Sequence, residues 1–448
     1  MKRLTILLFL GSWAVADTPP KTINPQVAEI VSQVSADRIA AIQQKLGSFG
    51  TRNIYSASDD PNHGIGAARE WIAAQLKSYS PRLEVSFDKH KLAKQGRAFK
   101  DVEIWNIVAR LPGDSEPDEE VLLTAHYDSI HLVFKTGADG RRELDSVATA
   151  EAPAPGVTDD GSGIACIMEL ARIMSQYHFR KTIVFIGFAA EEYGLFGSGL
   201  YAEDAVARHE KIEAMFNNDI IGSDLSGNGA STNERVNVYS EEPNDSAPRE
   251  VARYMREIGE RYIPGFQVDL QFRHDRFGRG GDHSPFAAAG YGAIRITTPS
   301  ENYANQHTAT DTFANTAPAY TARVTQANAA AVASLALAPK APALSTPHTF
   351  GFAASPIQRG PSGYDASLTW HSDPPEDDLA GYAIVMRKTT SPYWERQIFV
   401  GNVTKYVVPN INIDELVFGV RAIDKAGDES VVTPYVSPPY KQSKIATY

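Results

Sequence analysis

Cysteine is almost missing from this chain. Its 448 residues include one, Cys166, so no disulfide can close within it and no thiolate cluster can hold a metal. Stability must come from a sizeable core or from a metal held by other donors. An excess of basic residues is missing too: 43 Lys and Arg face 54 Asp and Glu, a formal charge of -11. That balance argues against nucleic acid or an anionic membrane as partner. Long apolar runs are lacking as well. One short run opens the chain, Leu4 to Trp13, between Met1-Lys2-Arg3 and Ala14-Val15-Ala16. It is too short to span a bilayer as a stable helix. A basic start, a short apolar stretch and a small-x-small end make a secretory leader. The expectation is a leader over residues 1–16 with Asp17 as the first mature residue. The mature charge is then -13, because Lys2 and Arg3 leave with the leader. The alternative is an N-terminal anchor. The protein is expected to be exported, periplasmic or extracellular, with no membrane span in the mature chain. Its oligomeric state leaves no signal.

What is present reads as two units. Residues 17–27 are polar and loose. Ala28 to Leu46 repeats apolar residues at helical spacing, and Gly64 to Tyr79 does so again. Leu83–Phe87, Val102–Leu111 and Glu120–Ala125 read as strands, the last one buried. A long segment rich in Ala, Pro and Gly leads to Asp159-Asp160-Gly161-Ser162-Gly163, which opens a helix from Ile164 to Tyr177. Cys166 lies on that helix as a core residue. Further strands are Lys181–Phe188, Ala214–Gly222 and Ala293–Thr298. Helices are expected near 199–209, over 247–262, opening at Arg279, and over 317–337. Strands alternating with helices predict an α/β fold: a mainly parallel central sheet flanked by helices. Pro339-Lys340-Ala341-Pro342 begins a linker over 339–346. Residues 347–440 show short strands and no helical period, an all-β sandwich pattern that resembles a fibronectin type III domain. The first unit then spans 17–338.

One stretch organises the first unit. Lys181 to Phe188 has the apolar, β-branched and aromatic composition of a strand buried on both faces, and Glu191-Glu192 follow almost at once. In open α/β sheets, ligands bind beyond the carboxyl ends of the strands. Adjacent carboxylates there need a cation or a proton between them. One glutamate is expected to bind metal and the other to handle a proton; a solvated acidic loop is the bland alternative. Four more metal-type side chains stand at strand or helix ends: His126, Asp159, Asp219 and His307. Each alone reads as a surface histidine or a helix cap. Imidazole and carboxylate together suit zinc without thiolate. Two zincs sharing one carboxylate need five protein ligands, and two histidines with three acids supply them.

These residues resemble the di-zinc aminopeptidases of peptidase family M28, over about residues 100–315. The resembling blocks are His126-Tyr127-Asp128-Ser129, Pro155 to Gly163, Ala190-Glu191-Glu192-Tyr193-Gly194, Asn218-Asp219-Ile220-Ile221-Gly222, Asp282-His283-Ser284-Pro285-Phe286, and His307-Thr308 with Asp311-Thr312. The resemblance implies two zinc ions, one on His126, Asp159 and Asp219, the other on Asp159, Glu192 and His307. It implies Glu191 as general base, Asp128 as the partner that orients His126, and a cis peptide after Asp159. The sequence departs from the family where a tyrosine often precedes the last histidine. Gln306 stands there, with Tyr303 three residues earlier. Arg279 is a further candidate for holding substrate, or a surface arginine. The segment from Ser129 to Pro155 is long enough for a lid. The expected activity is removal of N-terminal residues from peptides. Carboxypeptidase, dipeptidase and glutaminyl cyclase are alternatives on the same scaffold, and a non-catalytic binding ectodomain is the rival of another class.

Overall fold

The structure is a computed structural model. It describes residues 23–344, 348–349, 352–353, 357–372 and 377–435. The leader expected over 1–16 and part of the expected linker lie outside these residues. The described chain divides into two compact units, Ile23–Ala338 and the part from Pro339 onward. No helix among the described residues is long and apolar enough to cross a membrane.

The first unit is built on an eight-stranded sheet. Its strands are β1 (Glu84–Leu92), β2 (Val102–Leu111), β3 (Glu116–His126), β4 (Lys181–Phe188), β5 (Lys211–Asn218), β6 (Arg235–Ser240), β7 (Gln267–Gln271) and β8 (Ala293–Thr297). They lie side by side in the order β1-β2-β4-β3-β5-β8-β6-β7. The central run β4-β3-β5-β8 is parallel throughout. Every residue of β4 is buried, as its unbroken apolar sequence requires. Helices cover the sheet: α1 (Pro25–Ser32), α2 (Ala36–Gly47), α3 (Gly64–Tyr79), α4 (Gly161–Met174), α5 (Phe196–Arg208), α6 (Ala247–Tyr262), α7 (His283–Ala288) and α8 (Pro318–Leu337). This is the α/β architecture expected. Cys166 is fully buried in α4.

Parallel strands share one carboxyl edge, so the ends of β3, β4, β5 and β8 open onto the same side. α4 runs back from that edge to feed β4, so its N-terminus belongs there as well. His126, the Glu191-Glu192 turn, Asp219 and Asp159 are gathered by topology alone.

Several elements differ from expectation. The single helix expected over 28–46 is two, because the Ser35 side chain accepts from Arg38 N and starts a new one. Apolar spacing carries across that break, which hides it. β6 and β7 escape sequence reading because they are short and half polar. The segment from Ser129 to Pro155 holds a small hairpin, Phe134–Thr136 with Arg142–Leu144, and a short helix, Ser146–Glu151.

The second unit is all β. Strands β9 (Ala343–Leu344), β10 (Ile357–Arg359), β11 (Ala366–His371) and β14 (Lys405–Val408) form one antiparallel sheet. Strands β12 (Leu379–Lys388), β13 (Arg396–Gly401), β15 (Leu416–Asp424) and β16 (Thr433–Pro434) form another. Trp370, Tyr382, Ile384, Phe418 and Val420 share one core between them.

Candidate metal centre

Asp159 sits between two imidazoles. His126 Nε2 lies 3.2 Å from Asp159 Oδ1, and His307 Nε2 lies 3.2 Å from Asp159 Oδ2. Each imidazole has a second carboxylate of its own. Asp219 Oδ1 is 3.8 Å from His126 Nε2, and Glu192 Oε2 is 3.0 Å from His307 Nε2. Two three-residue donor groups therefore share one carboxylate: His126, Asp159 and Asp219, then Asp159, Glu192 and His307. Glu191 Oε2 stands 4.0 Å from His126 Nε2.

The surrounding backbone aims these groups. The peptide between Asp159 and Asp160 is cis. Asp160 then caps α4 through Gly163 N at 2.9 Å. The same carboxylate accepts from Ile220 N and from His126 N, both at 3.2 Å. It thus fastens the ends of β3 and β5 to the start of α4. A Cβ on Gly163 would sit 2.5 Å from Asp160 Oδ2, so only glycine admits that grip. Asp311 accepts from Thr158 N and Asp159 N at 2.9 and 3.0 Å, which orients Asp159 from the other side. Arg52, fully buried, donates to the carbonyls of Tyr127, Pro155 and Gly156 at 2.6, 2.5 and 2.7 Å. Ala190, Ile220 and His307 adopt left-handed backbone, with φ of 62°, 62° and 55°. Such conformations are costly for residues with a Cβ and gather where a site is over-determined.

Asp128 stands against the His126 ring, chiefly through its main chain. The ring Nδ1 meets the Asp128 main-chain carbonyl at 3.1 Å, with the carboxylate Oδ1 farther away at 3.5 Å. The carboxylate is engaged elsewhere, accepting from Glu191 N and Glu192 N at 3.2 and 3.4 Å. Gln306 is part of the cluster: its Nε2 donates to Asp159 Oδ2 at 3.1 Å, and its Oε1 accepts from Arg279 Nη1 at 2.7 Å. Tyr303 is 64% exposed and hydrogen-bonds to none of these groups.

Electrostatically the cluster lacks positive charge. Burial pushes the Glu191 carboxyl well above its usual range, with Asp219 and Glu192 adding to it. Burial raises Glu192 and Asp160 likewise. Burial disfavours a charged His126, yet Glu191, Asp128, Asp159 and Asp219 together hold that imidazole far above its usual value. His307 behaves alike and reaches about 11, since Glu192 and Asp159 outweigh its burial. Asp219 falls to about 2: burial opposes this, but Arg295 and His126 prevail. Buried Glu192 Oε1 has no hydrogen-bond partner. Carboxylates that crowd together out of water, leaving an oxygen unpaired, ask for a multivalent cation. The donor set of two imidazoles and three carboxylates fits zinc.

Arg52, Arg295, Asp160 and Asp311 carry no assigned role in the sequence reading. Arg295 had a visible signal, a cation inside the apolar strand Ala-Ile-Arg-Ile-Thr. Arg52 had none, because its partners are main-chain carbonyls far along the chain.

Comparison with known proteins gives the family. Residues 106–332 match the profile of Peptidase family M28. A protein of Pyricularia oryzae described as a "Probable zinc metalloprotease" is 35% identical, the match covering 95% of this chain and 89% of that one. A "Probable zinc metalloprotease" of Leptosphaeria maculans is 34% identical over 96% of this chain and 99% of its own. Among solved structures, the fold is similar to the LapA aminopeptidase of Legionella pneumophila, with a TM-score of 0.54, 18% identity, and coverage of 72% of this chain and 78% of that one. It is also similar to Fimbriiglobus ruber glutaminyl cyclase, with a TM-score of 0.50, 17% identity, and coverage of 67% and 95%. The mixed α/β fold, with its large mainly parallel sheet, is that of these solved structures. The chain belongs to peptidase family M28, and with it to the zinc-dependent peptidases.

Proposed function

We propose that the chain is an exported aminopeptidase working with two zinc ions. The observation that carries this reading is the sharing of Asp159 between two complete donor groups. His126, Asp159 and Asp219 would hold one ion, and Asp159, Glu192 and His307 the other. The chemistry that zinc supplies when bound is polarisation of a carbonyl and acidification of water.

The remaining work falls to the chain itself. Glu191 takes a proton from the attacking water at its carboxylate and returns it to the departing amine. Its position 4.0 Å from His126 Nε2, outside the two groups that share Asp159, supports that division of labour, although it could also join a donor group with His126 and Glu192. Asp128 supports it from behind by fixing the backbone of Glu191 and Glu192. Asp160 and Asp311 hold Asp159 from two directions. Binding of a substrate's free α-ammonium beside the carboxylates of this cluster would confine cleavage to the first residue.

Arg279 favours a second reading. Its guanidinium beside Gln306 is 27% exposed and suits a substrate carboxylate, as a carboxypeptidase or dipeptidase needs. The likeness to a glutaminyl cyclase keeps that activity as a further alternative. Zinc content, measured beside hydrolysis of aminoacyl-nitroanilides and of peptides blocked at either end, separates these readings. An aminopeptidase carries two zincs and ignores substrates with an acetylated amine. Cleavage that requires a free carboxyl end overturns the proposal. The second unit we read as a fibronectin type III-like sandwich serving attachment or spacing; its paired antiparallel sheets and shared core support that.

A further inference from the structure

A second set of metal-type side chains stands outside the centre at Asp159. β1 is the outermost strand of the large sheet and pairs only with β2. Asp88 and His90 lie two residues apart on β1, so their side chains leave the same face. Asp204, on α5, meets them there. One donor atom from each of Asp88, His90 and Asp204 lies within 4.8 Å of the other two. The shortest approach is His90 Nε2 to Asp88 Oδ2, 2.8 Å.

These three are held from behind. The side chains of Asp88 and His90 are only 22% and 15% exposed. Asp88 Oδ2 accepts from Asn106 Nδ2 at 2.8 Å, from the residue opposite it on β2. Asn106 is fully buried; its Nδ2 also donates to Gly197 O in the first turn of α5 at 3.0 Å, and its Oδ1 accepts from Ala189 N at 3.0 Å. One buried carboxamide thus fixes the Asp88 carboxylate and seats the helix that carries Asp204. Ligating carboxylates are characteristically steadied by such a bond. Asp88 Oδ1 and His90 Nδ1 take no hydrogen bond among the described residues. Asp204, half exposed, is paired with Arg208 one turn along its own helix at 3.5 Å, a surface pair that resists displacement weakly. An ion bonded at about 2.0–2.2 Å to each donor draws them to within roughly 3.5 Å of one another. His90 and Asp88 already stand that close, and Asp204 has the freedom to close the rest.

We propose that Asp88, His90 and Asp204 form a separate zinc site that clamps the edge strand β1 to α5. One imidazole and two carboxylates suit zinc, with water as the fourth ligand; calcium and magnesium take oxygen donors and gain nothing from His90. The ion replaces the His90–Asp88 contact with bonds to both residues and adds a bond to Asp204, so a strand held by one neighbour becomes fastened to a helix as well. With three protein donors, two of them partly open to water, this site is weaker than the centre at Asp159. Its ion leaves on dialysis and returns when free zinc is supplied. The inference stands whatever reaction the Asp159 centre performs, because none of its three residues belongs to that centre.

The test is equilibrium dialysis of the full chain against free zinc, with bound metal counted by elemental analysis. Asp204→Asn and His90→Gln should each bind one zinc per chain fewer than wild type at saturation. Glu203→Gln removes the same charge from the neighbouring, exposed position on α5 and should bind as many as wild type. Free zinc should also raise the thermal unfolding midpoint of the wild type further than that of Asp204→Asn, since an ion bound only by the folded state stabilises it. Excess calcium should displace none of the zinc. Equal zinc in wild type, Asp204→Asn and His90→Gln overturns the inference. So does an equal loss in Glu203→Gln, which would mark general attraction to a surface of negative charge, and so does displacement by calcium. Each variant is compared with wild type, so the number of ions at the Asp159 centre cancels, and a variant that misfolds leaves the other to decide.

Discussion

Replacing Arg295 with methionine should cost the first unit much of its stability. The guanidinium is 1% exposed, with Nη2 3.0 Å from Asp219 Oδ2 and Nη1 2.7 Å from Asp275 Oδ2. Nη1 also donates to Gly280 O at 2.7 Å. Methionine fills comparable space but strips Asp219 and Asp275 of the cation they share, leaving only His126 beside the one and Arg276 beside the other. Breaking a buried ion pair by removing one partner costs about 3–5 kcal/mol. That is a large part of a typical total of roughly 5–15 kcal/mol. Lysine at 295 should recover less than half, because one ammonium cannot span Asp219 and Asp275 together. The assay is urea unfolding followed by far-ultraviolet circular dichroism in the presence of a chelator. The helical signal reports the first unit, since every described α-helix lies within residues 23–338. A loss below about 1 kcal/mol would refute the reasoning, since it would mean that Asp219 and Asp275 do not need the cation between them.

Three further outcomes are expected. Glu191→Gln should keep its zinc by elemental analysis while kcat falls about 10²–10⁴-fold; near-native turnover would remove Glu191 from the proton's path. Glu192→Ala should lose about half the bound zinc after dialysis, and full retention would contradict its place as a ligand. His283 should make the protein acid-sensitive. Burial lowers its imidazole to about 4, below the unfolded value of about 6.5, so the unfolded chain binds the proton first as pH drops. The stability tied to its neutral form is fully present above that unfolded value and is lost progressively as pH falls toward 4, by about 3 kcal/mol at most. Urea unfolding at pH 7 and pH 4.5 should show a smaller loss for His283→Gln than for wild type; equal losses would count against it.

The parallel core was legible because β3, β4, β5 and β8 are apolar runs separated by helical periods. Such a sheet leaves little choice about which edge carries polar residues. His126, Asp159, Glu192, Asp219 and His307 could be singled out as chemically suitable groups standing at element ends. Distances among them come only from folding, as do the capping grip of Asp160 and the orienting bonds from Asp311. Tyr303 shows the limit of reading by proximity in sequence. Four residues from His307, it is turned toward solvent, while Gln306, bonded between Arg279 and Asp159, enters the cluster. Asp128 shows another limit. Its carboxylate serves two backbone amides in the next strand's turn, and no local pattern announces that.

Arg52 lies outside residues 106–332, the segment that defines family membership. Yet its one side chain ties together the carbonyls of Tyr127, Pro155 and Gly156, two of them in the approach to Asp159. A fragment trimmed to the family boundaries would keep every proposed zinc donor and lose the brace that sets the distance between them. The smallest working enzyme must therefore begin well upstream of the chemistry it performs.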